Sequence, residues 1–385
     1  MQASPIQFNS KLPDVKTTIF TIMSRLSYEH NAINLSQGFP DFPADPLLTQ
    51  LATKAMHGSF NQYAPMPGLL ELREAIAKKI EKMHAISYNP DTEVTVTVGA
   101  TEAIFTAIAT FISPGDEVLV LKPAYDCYEP AIALQGGIPV LIQLAAPSFQ
   151  VNWETVKEKI TAKTKMIIIN TPHNPTGTIL SKSDMGILEN LLKDTNIILI
   201  SDEVYEHIIF DGEVHQSACR FPKLAERTFI CASFGKTFHN TGWKTGYCVA
   251  PEKLMHEFRK THQFNVFSTH HPVQKAFADY LKDEDHYISL PNFYEHKRNT
   301  FRALIQNSKF KILPCKGTYF QLLDYSEITK EGATEFAIRL VKEHGIASIP
   351  VSVFNTNERD DHLLRFCFAK ETQTLEKAAA ILNKL

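Results

Sequence analysis

The sequence lacks the features of a membrane protein, a secreted protein or a nucleic-acid-binding protein. No apolar run approaches the roughly 18 residues that a membrane-spanning helix needs, and the first 20 residues lack a basic segment followed by an apolar core. The 39 basic and 42 acidic side chains leave a net charge of −3, which predicts no strongly basic surface. We therefore predict a cytoplasmic protein that binds neither nucleic acid nor membrane.

Metal and disulfide patterns are also missing. The six cysteines show no C-x-x-C spacing, so in a chain of this length they fit buried reduced thiols better than disulfides. The fifteen histidines include no H-E-x-x-H or comparable spacing, and we predict no metal site. No G-x-G-x-x-G fingerprint is present, which disfavours a dinucleotide-binding dehydrogenase.

The chain does contain a regular alternation of short apolar runs and helical patterns. Its 385 residues, 44% of them apolar, allow two or three domains around a sizeable core. Helices are predicted over 101–112, 128–135 and 183–194, the last with Ser183 as its cap. Alternation of this kind favours an α/β fold with a mostly parallel sheet that is covered on both faces. The predicted strands are 94–98, 117–121, 138–144, 166–170, 196–201 and 227–233.

The pattern changes after about residue 280. Residues 282–301 predict a long polar helix, and shorter strands are predicted over 317–324, 346–351 and 363–369. This change in rhythm indicates a second, smaller α+β domain.

Polar residues follow several of the predicted strands, at the edge where open parallel sheets bind their ligands. A helix start at Gly99 suits a phosphate, and Asn174, Asp202 and Lys236 supply an amide, a carboxylate and an amine. Each residue alone also fits a structural role, such as a helix cap, a turn or a surface charge. Together they select a planar, phosphorylated aldehyde with a basic ring nitrogen, which is pyridoxal phosphate.

Eight stretches of the chain carry a resemblance to the class I aminotransferases of fold type I. Within that family these motifs are most similar to those of the branch that holds bacterial methionine aminotransferases and kynurenine/glutamine transaminases. The resemblance implies a seven-stranded sheet in a large domain over 37–280, a small domain over 281–385, and an N-terminal arm with part of the small domain over 1–36. The matching stretches are NLSQGFPDFP (34–43), NQYAPMPG (61–68), VGATEAI (98–104), NTPHNPTG (170–177), ISDEVYEHIIF (200–210), SFGKTFHNTGWKTGY (233–247), GTYF (317–320) and LLRFCFA (363–369).

The resemblance implies roles at the reactive end of the cofactor. Lys236 matches the lysine that bonds the cofactor aldehyde and then moves the proton, a role that requires a lowered pKa. Asp202 matches the carboxylate that keeps the ring nitrogen protonated. Tyr205 and Asn174 match donors to the phenolic oxygen of the ring.

It also implies contacts for the phosphate and the ring. Ser233, Lys244 and the backbone N–H groups of Ala100 and Thr101 match the phosphate ligands. Many relatives have arginine at the Lys244 position, and lysine keeps the charge but loses the two-point fork. Tyr125 matches a residue that stacks on the ring.

Two further implications concern the substrate and the partner subunit. Arg365, inside an otherwise apolar strand, matches the clamp for the substrate α-carboxylate, and Gly38 and Asn174 match the other carboxylate contacts. Tyr63 matches a tyrosine that reaches the phosphate of the neighbouring subunit. A homodimer with shared active sites is therefore expected.

The predicted activity is transfer of an α-amino group from an amino acid to a 2-oxo acid, by a ping-pong route through the pyridoxamine form of the cofactor. No second arginine for an acidic side chain is evident, so we expect methionine, phenylalanine or kynurenine as donor. A carbon–sulphur β-lyase on the same fold remains an alternative, and a non-catalytic cofactor sensor is disfavoured because no basic helix precedes the first motif. Apolar residues expected near the substrate side chain are Ile19, Phe20, Phe264, Phe267 and Phe354.

Overall fold

The computed structural model describes residues 9–385, so the first eight residues of the predicted segment 1–36 lie outside it. Its strands, in chain order, are β1 (Ile33–Asn34), β2 (Val94–Thr97), β3 (Glu117–Lys122), β4 (Ile138–Gln143), β5 (Thr164–Asn170), β6 (Ile198–Asp202), β7 (Thr228–Ser233), β8 (Gly246–Val249), β9 (Lys311–Ile312), β10 (Phe320–Asp324), β11 (Ile346–Ala347), β12 (Ile349–Pro350) and β13 (Leu363–Cys367).

The helices cover the strands and fill the connections between them. They are α1 (Ile19–Glu29), α2 (Pro46–His57), α3 (Leu70–His84), α4 (Gly99–Phe111), α5 (Tyr128–Leu134), α6 (Trp153–Lys159), α7 (Lys182–Leu192), α8 (Pro222–Ala225), α9 (Phe234–Thr237), α10 (Glu252–Asn265), α11 (His271–Tyr280), α12 (Asp285–Ile288), α13 (Leu290–Ile305), α14 (Ala333–His344) and α15 (Thr372–Leu382).

A seven-stranded sheet forms the centre of the fold, with strand order β2-β8-β7-β6-β5-β3-β4. Neighbouring strands from β7 through β4 are parallel, whereas β8 is antiparallel to both β7 and β2. The predicted α/β class with a mostly parallel, seven-stranded sheet is confirmed.

Alternate residues of the central strands enter two separate cores. In β3, Val118 and Val120 pack in a cluster with residues of α4, while Leu119 packs in the larger cluster on the other face of the sheet. All three side chains are fully buried. A strand buried on both faces needs apolar residues at every position, which is why these strands are continuous apolar runs in the sequence.

The six predicted central strands and the three predicted helices lie within two residues of the observed bounds. The helix cap was predicted wrongly: Ser181, not Ser183, caps α7. The Ser181 hydroxyl accepts the N–H of Asp184, and the Asp184 carboxylate in turn accepts the N–H of Ser181. Strand β8 was not predicted, because its four residues are too short to give a periodic signal.

A second, four-stranded antiparallel sheet has the order β12-β13-β10-β9. The predicted long polar helix over 282–301 is wrong: α12 ends at Ile288, and α13 begins anew at Leu290 and buries one apolar face. The single strand predicted over 346–351 divides into β11 and β12, which join different sheets. The division into 1–36, 37–280 and 281–385 stays a prediction.

Residues 9–385 also lack membrane-spanning helices, metal-binding clusters and disulfides. In that range no helix is both long and apolar enough to cross a membrane. The same residues contain no group of three histidine, cysteine, aspartate or glutamate side chains that could hold a metal ion. All six cysteines are free, and all but Cys127 are buried.

Candidate active site

The sheet topology brings several strand ends to one rim. Asn170 at the end of β5 pairs with Asp202 at the end of β6, and β7 runs alongside β6 to end at Ser233. Because β8 runs in the opposite direction, its first residue, Gly246, pairs with Ser233 at the same rim. Helix α4 begins at Gly99, directly after the rim end of β2.

A cavity of about 400 Å³ opens at this rim. Tyr63 does not line it: its side chain is 80% exposed and packs against Phe267, with ring centroids 5.1 Å apart. The structure thus brings eleven of the twelve predicted site residues to one cavity. These eleven are Gly38, Ala100, Thr101, Tyr125, Asn174, Asp202, Tyr205, Ser233, Lys236, Lys244 and Arg365.

Lys236 lies on the short helix α9 with its amine in the cavity. Its Nζ donates a hydrogen bond of 2.8 Å to the carbonyl of Gly38. Burial lowers the pKa of this amine to about 8, the direction that the sequence analysis required. A useful fraction of the amine is therefore uncharged near neutral pH.

Asp202 is the last residue of β6 and is almost fully buried. Its carboxylate accepts hydrogen bonds from the Tyr128 hydroxyl and, at 3.3 Å, from the N–H of Val204. Within residues 9–385 it forms no ion pair, and burial raises its pKa from 3.8 to about 6. The alternative that Asp202 caps a helix is wrong, because residues 204–207 form turns and no helix follows β6 directly.

Arg365 lies in β13 with only 1% of its surface exposed. Its Nη1 donates to Oδ1 of Asn174 at 2.7 Å and its Nη2 to the carbonyl of Ser36 at 3.1 Å, while its Nε has no partner among the described residues. No carboxylate within residues 9–385 pairs with it, so the alternative of a structural salt bridge is wrong. Two of the five N–H groups of the guanidinium are therefore used, and three remain.

Gly38 lies beside Lys236, whose amine donates to its carbonyl. Its carbonyl also accepts the Tyr319 hydroxyl at 2.6 Å, and a Cβ added at this position would lie 2.9 Å from the ring of Phe320. Only glycine fits here without displacing that ring.

The opposite end of the cavity combines a helix N-terminus with a lysine. Residue Val98 precedes α4 without any side-chain cap, so Thr101 is not the cap residue. The first N–H groups of a helix have no intrahelical partner and attract anions. The Lys244 amine lies 3.4 Å from where a Cβ on Gly99 would stand, so it approaches this helix end closely.

Aromatic rings line the remaining walls. Tyr205 is buried and meets Tyr319 edge to face at 5.2 Å, and Tyr125 meets Tyr128 edge to face at 6.0 Å. Burial raises the pKa of the Tyr125 hydroxyl to about 12 and also raises that of Tyr205. Both phenols are therefore protonated donors at neutral pH.

Of the five residues expected around a substrate side chain, Phe20 lines the cavity and the other four do not. The ring of Phe20 packs at a tilt against that of Phe354, with ring centroids 5.8 Å apart. Ile19 is partly buried against the large core and does not line the cavity. Phe264 is 91% exposed and Phe267 45% exposed, and neither lines the cavity of its own chain.

Sequence reasoning missed Tyr128 and Asp126. Tyr128 begins α5 and bonds Asp202, although 74 positions separate the two residues. Asp126 lines the cavity, and burial raises the pKa of its carboxyl. The stretch that predicted Tyr125 contains both, and the three-residue spacing from Tyr125 to Tyr128 was the available signal.

The cavity fits a phosphorylated pyridine aldehyde. Asp202 is a buried carboxylate without a cation and therefore suits a protonated ring nitrogen. The α4 N-terminus and Lys244 suit a phosphate, and Lys236 supplies an amine with a lowered pKa.

Comparison with known proteins identifies relatives across the whole chain. The family model for aminotransferase class I and II matches residues 30–382. Methionine aminotransferase of Escherichia coli is 46% identical, with 100% of both chains covered. Kynurenine–oxoglutarate transaminase 1 of Rattus norvegicus is 32% identical, with 97% of both chains covered.

Solved structures agree. An Escherichia coli protein identified as a methionine aminotransferase superposes with a TM-score of 0.97 at 46% identity, over 99% of this chain and 100% of the other. The N-succinyldiaminopimelate aminotransferase of Mycobacterium tuberculosis gives 0.94 at 37% identity, over 98% and 100%. The chain belongs to the class I and II aminotransferases, has fold type I, and uses pyridoxal phosphate as its cofactor.

Proposed function

We propose that the protein transfers the α-amino group of a large apolar, sulphur-containing or aromatic amino acid, such as methionine, phenylalanine or kynurenine, to a 2-oxo acid. The observation that carries this proposal is the composition of the cavity: among residues 9–385 of one chain, Arg365 is the only arginine that lines it, and Phe20, Phe39 and Phe320 line it as well. One arginine suffices for an α-carboxylate. A second carboxylate, on the substrate side chain, would find no matching guanidinium within the same chain.

The cofactor-binding residues have distinct tasks in this proposal. Ser233, Lys244 and the N–H groups of Ala100 and Thr101 bind the phosphate, and Tyr125 covers one face of the ring. Their common presence on the cavity wall supports this assignment. Lys244 contributes charge but lacks the planar two-point fork of an arginine, so the backbone N–H groups would provide much of the orientation.

Asp202, Tyr205 and Asn174 act on the ring itself. Bound pyridoxal phosphate supplies an electron-withdrawing ring that stabilises negative charge at the substrate α-carbon. Asp202 pairs with the protonated ring nitrogen, and Tyr128 keeps that carboxylate oriented through its hydroxyl. Tyr205 and the amide N–H₂ of Asn174 donate to the phenolic oxygen, which is consistent with the Asn174 oxygen being occupied by Arg365.

Lys236 carries the proton. Its amine, uncharged in part because burial lowers its pKa to about 8, would accept the proton from the substrate α-carbon, and the bound cofactor would supply the carbon that receives this proton. Arg365 and Gly38 fix the α-carboxylate, so that the α-hydrogen points toward Lys236. The hydrogen bond from Lys236 to Gly38 supports this proximity.

We further propose a homodimer with shared active sites and a cytoplasmic location. The exposure of Tyr63, Phe264 and Phe267 supports a covering partner subunit, to whose phosphate site Tyr63 would reach. The six free cysteines support a reducing compartment.

The test is a set of steady-state rates with the cofactor-loaded protein and a 2-oxo acid. We expect kcat/KM for methionine, phenylalanine or kynurenine to exceed that for aspartate by about tenfold or more, because a desolvated, unpaired carboxylate is unfavourable. A higher kcat/KM for aspartate than for methionine would contradict the proposal. Pyruvate and ammonia release from a cysteine conjugate, without added 2-oxo acid, would instead identify a β-lyase.

The variant Lys236→Ala tests whether the amine of Lys236 is required for transamination. We expect it to abolish transamination while the free energy of unfolding of the cofactor-free protein does not fall, because the removed amine is partly buried without an ion pair. Residual transamination near the wild-type rate would exclude Lys236 as the proton carrier.

A further inference from the structure

The segment after β6 points its side chains in two directions. Asp202 and Tyr205 line the cavity, whereas Glu203 and Glu206 are buried away from it, at 1% and 6% exposure. The N–H of Glu206 donates to the carbonyl of Glu203 at 2.9 Å and closes a turn between them. Residues three apart therefore share a side, and each cavity residue is followed directly by a buried glutamate.

The carboxylate of Glu203 accepts three hydrogen bonds. Glu203 accepts from the Ser201 hydroxyl at 2.7 Å, from Nε2 of His215 at 2.7 Å and from the N–H of Ala218 at 3.0 Å. Burial alone would raise its pKa, but these donors hold the pKa below its ordinary value. Glu203 is ionised and fixed.

The second glutamate is tied to two distant elements. One carboxylate oxygen of Glu206 accepts from Nζ of Lys79 on α3 at 2.6 Å and from the Tyr247 hydroxyl on β8 at 2.7 Å. Burial opposes ionisation of Glu206, but the ammonium of Lys79 outweighs it and lowers the pKa. The same ammonium donates to Nε2 of His207 at 2.9 Å. Burial lowers the pKa of that imidazole to about 3, so it is neutral.

The surroundings of Glu206 contain few other charges. Titratable groups close enough to influence it, or to be influenced by it, are Lys79, His84, His207, Cys219, Tyr247 and Tyr287.

These anchors lie on both sides of Tyr205 in the chain. Glu203 is fixed two residues before it, and Glu206 and His207 directly after it, so the backbone at 205 cannot rotate without breaking buried hydrogen bonds. We propose that Glu206, bonded by Lys79 and Tyr247, is a positioning residue that holds the Tyr205 hydroxyl at the phenolic oxygen of the cofactor. This inference rests on the proposed role of Tyr205 and extends it to an ion pair outside the cavity.

The experiment uses Glu206→Gln in the cofactor-loaded protein, with Tyr205→Phe as reference. A donor to the phenolic oxygen favours its deprotonated form, so losing it raises the pH midpoint of the visible absorbance change of the holoprotein. We expect Tyr205→Phe and Glu206→Gln to raise this midpoint in the same direction, by about one pH unit. We also expect Glu206→Gln to lower kcat about tenfold while KM changes less than about twofold.

A double-mutant cycle separates positioning from general damage. If Glu206 acts through Tyr205, the double variant Tyr205→Phe with Glu206→Gln has the midpoint of Tyr205→Phe alone. Full addition of the two shifts, or an unshifted midpoint in Glu206→Gln, would overturn the inference. Glu213→Gln is the matched control, because it breaks an exposed glutamate–lysine pair of the same 2.6 Å length, to Lys316, and should leave the midpoint unchanged.

Two further variants test the inference in case Glu206→Gln alone fails to fold. Lys79→Met combined with Glu206→Gln removes both buried charges together, which proteins tolerate better than removing one. Tyr247→Phe keeps the ion pair and removes one anchor, and should give a smaller shift in the same direction. The absorbance titration needs no substrate, so a wild type that binds the cofactor without transaminating would contradict the proposed function and leave the inference standing.

Discussion

Burial of the Asp202 carboxylate destabilises the cofactor-free protein at neutral pH. Its pKa is raised from 3.8 to about 6 because burial disfavours the carboxylate. The folded state therefore holds this proton more tightly than the unfolded state, and stability falls as pH rises from about 4 to about 6. Above that window the loss is about 3 kcal/mol.

Asp202→Asn should remove this loss. We expect the cofactor-free variant to be more stable than wild type at pH 7, by up to ~3 kcal/mol, and the difference to vanish near pH 4. Chemical denaturation at both pH values measures it, with the exposed Asp14→Asn as control. Turnover should be lost in the loaded protein. A variant less stable than wild type at pH 7 would refute this account of Asp202.

Arg365 allows a test of the carboxylate clamp. Its planar guanidinium uses one N–H of Nη1 on Asn174 and one of Nη2 on Ser36, and these bonds orient the three N–H groups that remain. Lysine cannot keep these bonds and a two-point contact together. We expect Arg365→Lys to raise KM for methionine about thirtyfold, equivalent to ~2 kcal/mol.

Arg339→Lys provides the comparison, because this arginine forms a similar fork with Glu331 near the surface of α14. The steady-state rates of the Arg339→Lys variant should equal those of the wild type. If KM for methionine stayed within about twofold of wild type in Arg365→Lys, Arg365 would not be the clamp.

The capping box of α7 predicts a difference between two nearby serines. Ser181 exchanges hydrogen bonds with Asp184, whereas Ser183 is exposed within the helix. Ser181→Ala should lower the free energy of unfolding by about 1 kcal/mol. Ser183→Ala should change it by less than about 0.5 kcal/mol. Equal effects of the two substitutions in denaturant melts would contradict the assignment, and neither should alter kcat.

The same pair of serines shows what sequence patterns determine and what they leave open. Central strands such as β3 and β5 were predictable because burial on both faces demands unbroken apolar runs. Ser181 and Ser183 both precede an apolar repeat, and local sequence does not distinguish them; the bond to Asp184 does. The break at residue 289 was missed, although Pro291 in the first turn of α13 is a residue typical of helix starts.

The site was predictable to the extent that its residues lie at the end of a strand or within four residues after it. Lys236, Asp202 and Asn174 satisfied that condition, and the resemblance supplied the rest. Tyr128 and Glu206 were not found, since their importance depends on partners 74 and 127 positions away. Contacts of that range are products of topology and leave no local signature.

The proposed dimer predicts complementation between defective chains. In a mixed dimer of Lys236→Ala and Tyr63→Ala chains, one site lacks both groups and the other lacks neither, if Tyr63 serves the partner's site. Random mixing by unfolding and refolding should then recover about a quarter of wild-type activity. Sedimentation should give twice the chain mass.

Lys236→Ala mixed with Asp202→Asn is the matched control, because both groups belong to one chain and every site stays defective. No recovery is expected there. A monomer in sedimentation, or no gain with the Tyr63 variant, would count against shared sites.

The reversal of β8 within an otherwise parallel sheet has a mechanical consequence. It makes β7 and β8 adjacent strands joined at the rim by residues 234–245, and this one bridge carries both Lys236 and Lys244. The separation of the two amines is thus governed by covalent linkage and by the pairing of Ser233 with Gly246. Displacement of the four-stranded sheet that carries Arg365 would alter the proposed contact with the substrate carboxylate, whereas the spacing between the amines of Lys236 and Lys244 would be retained.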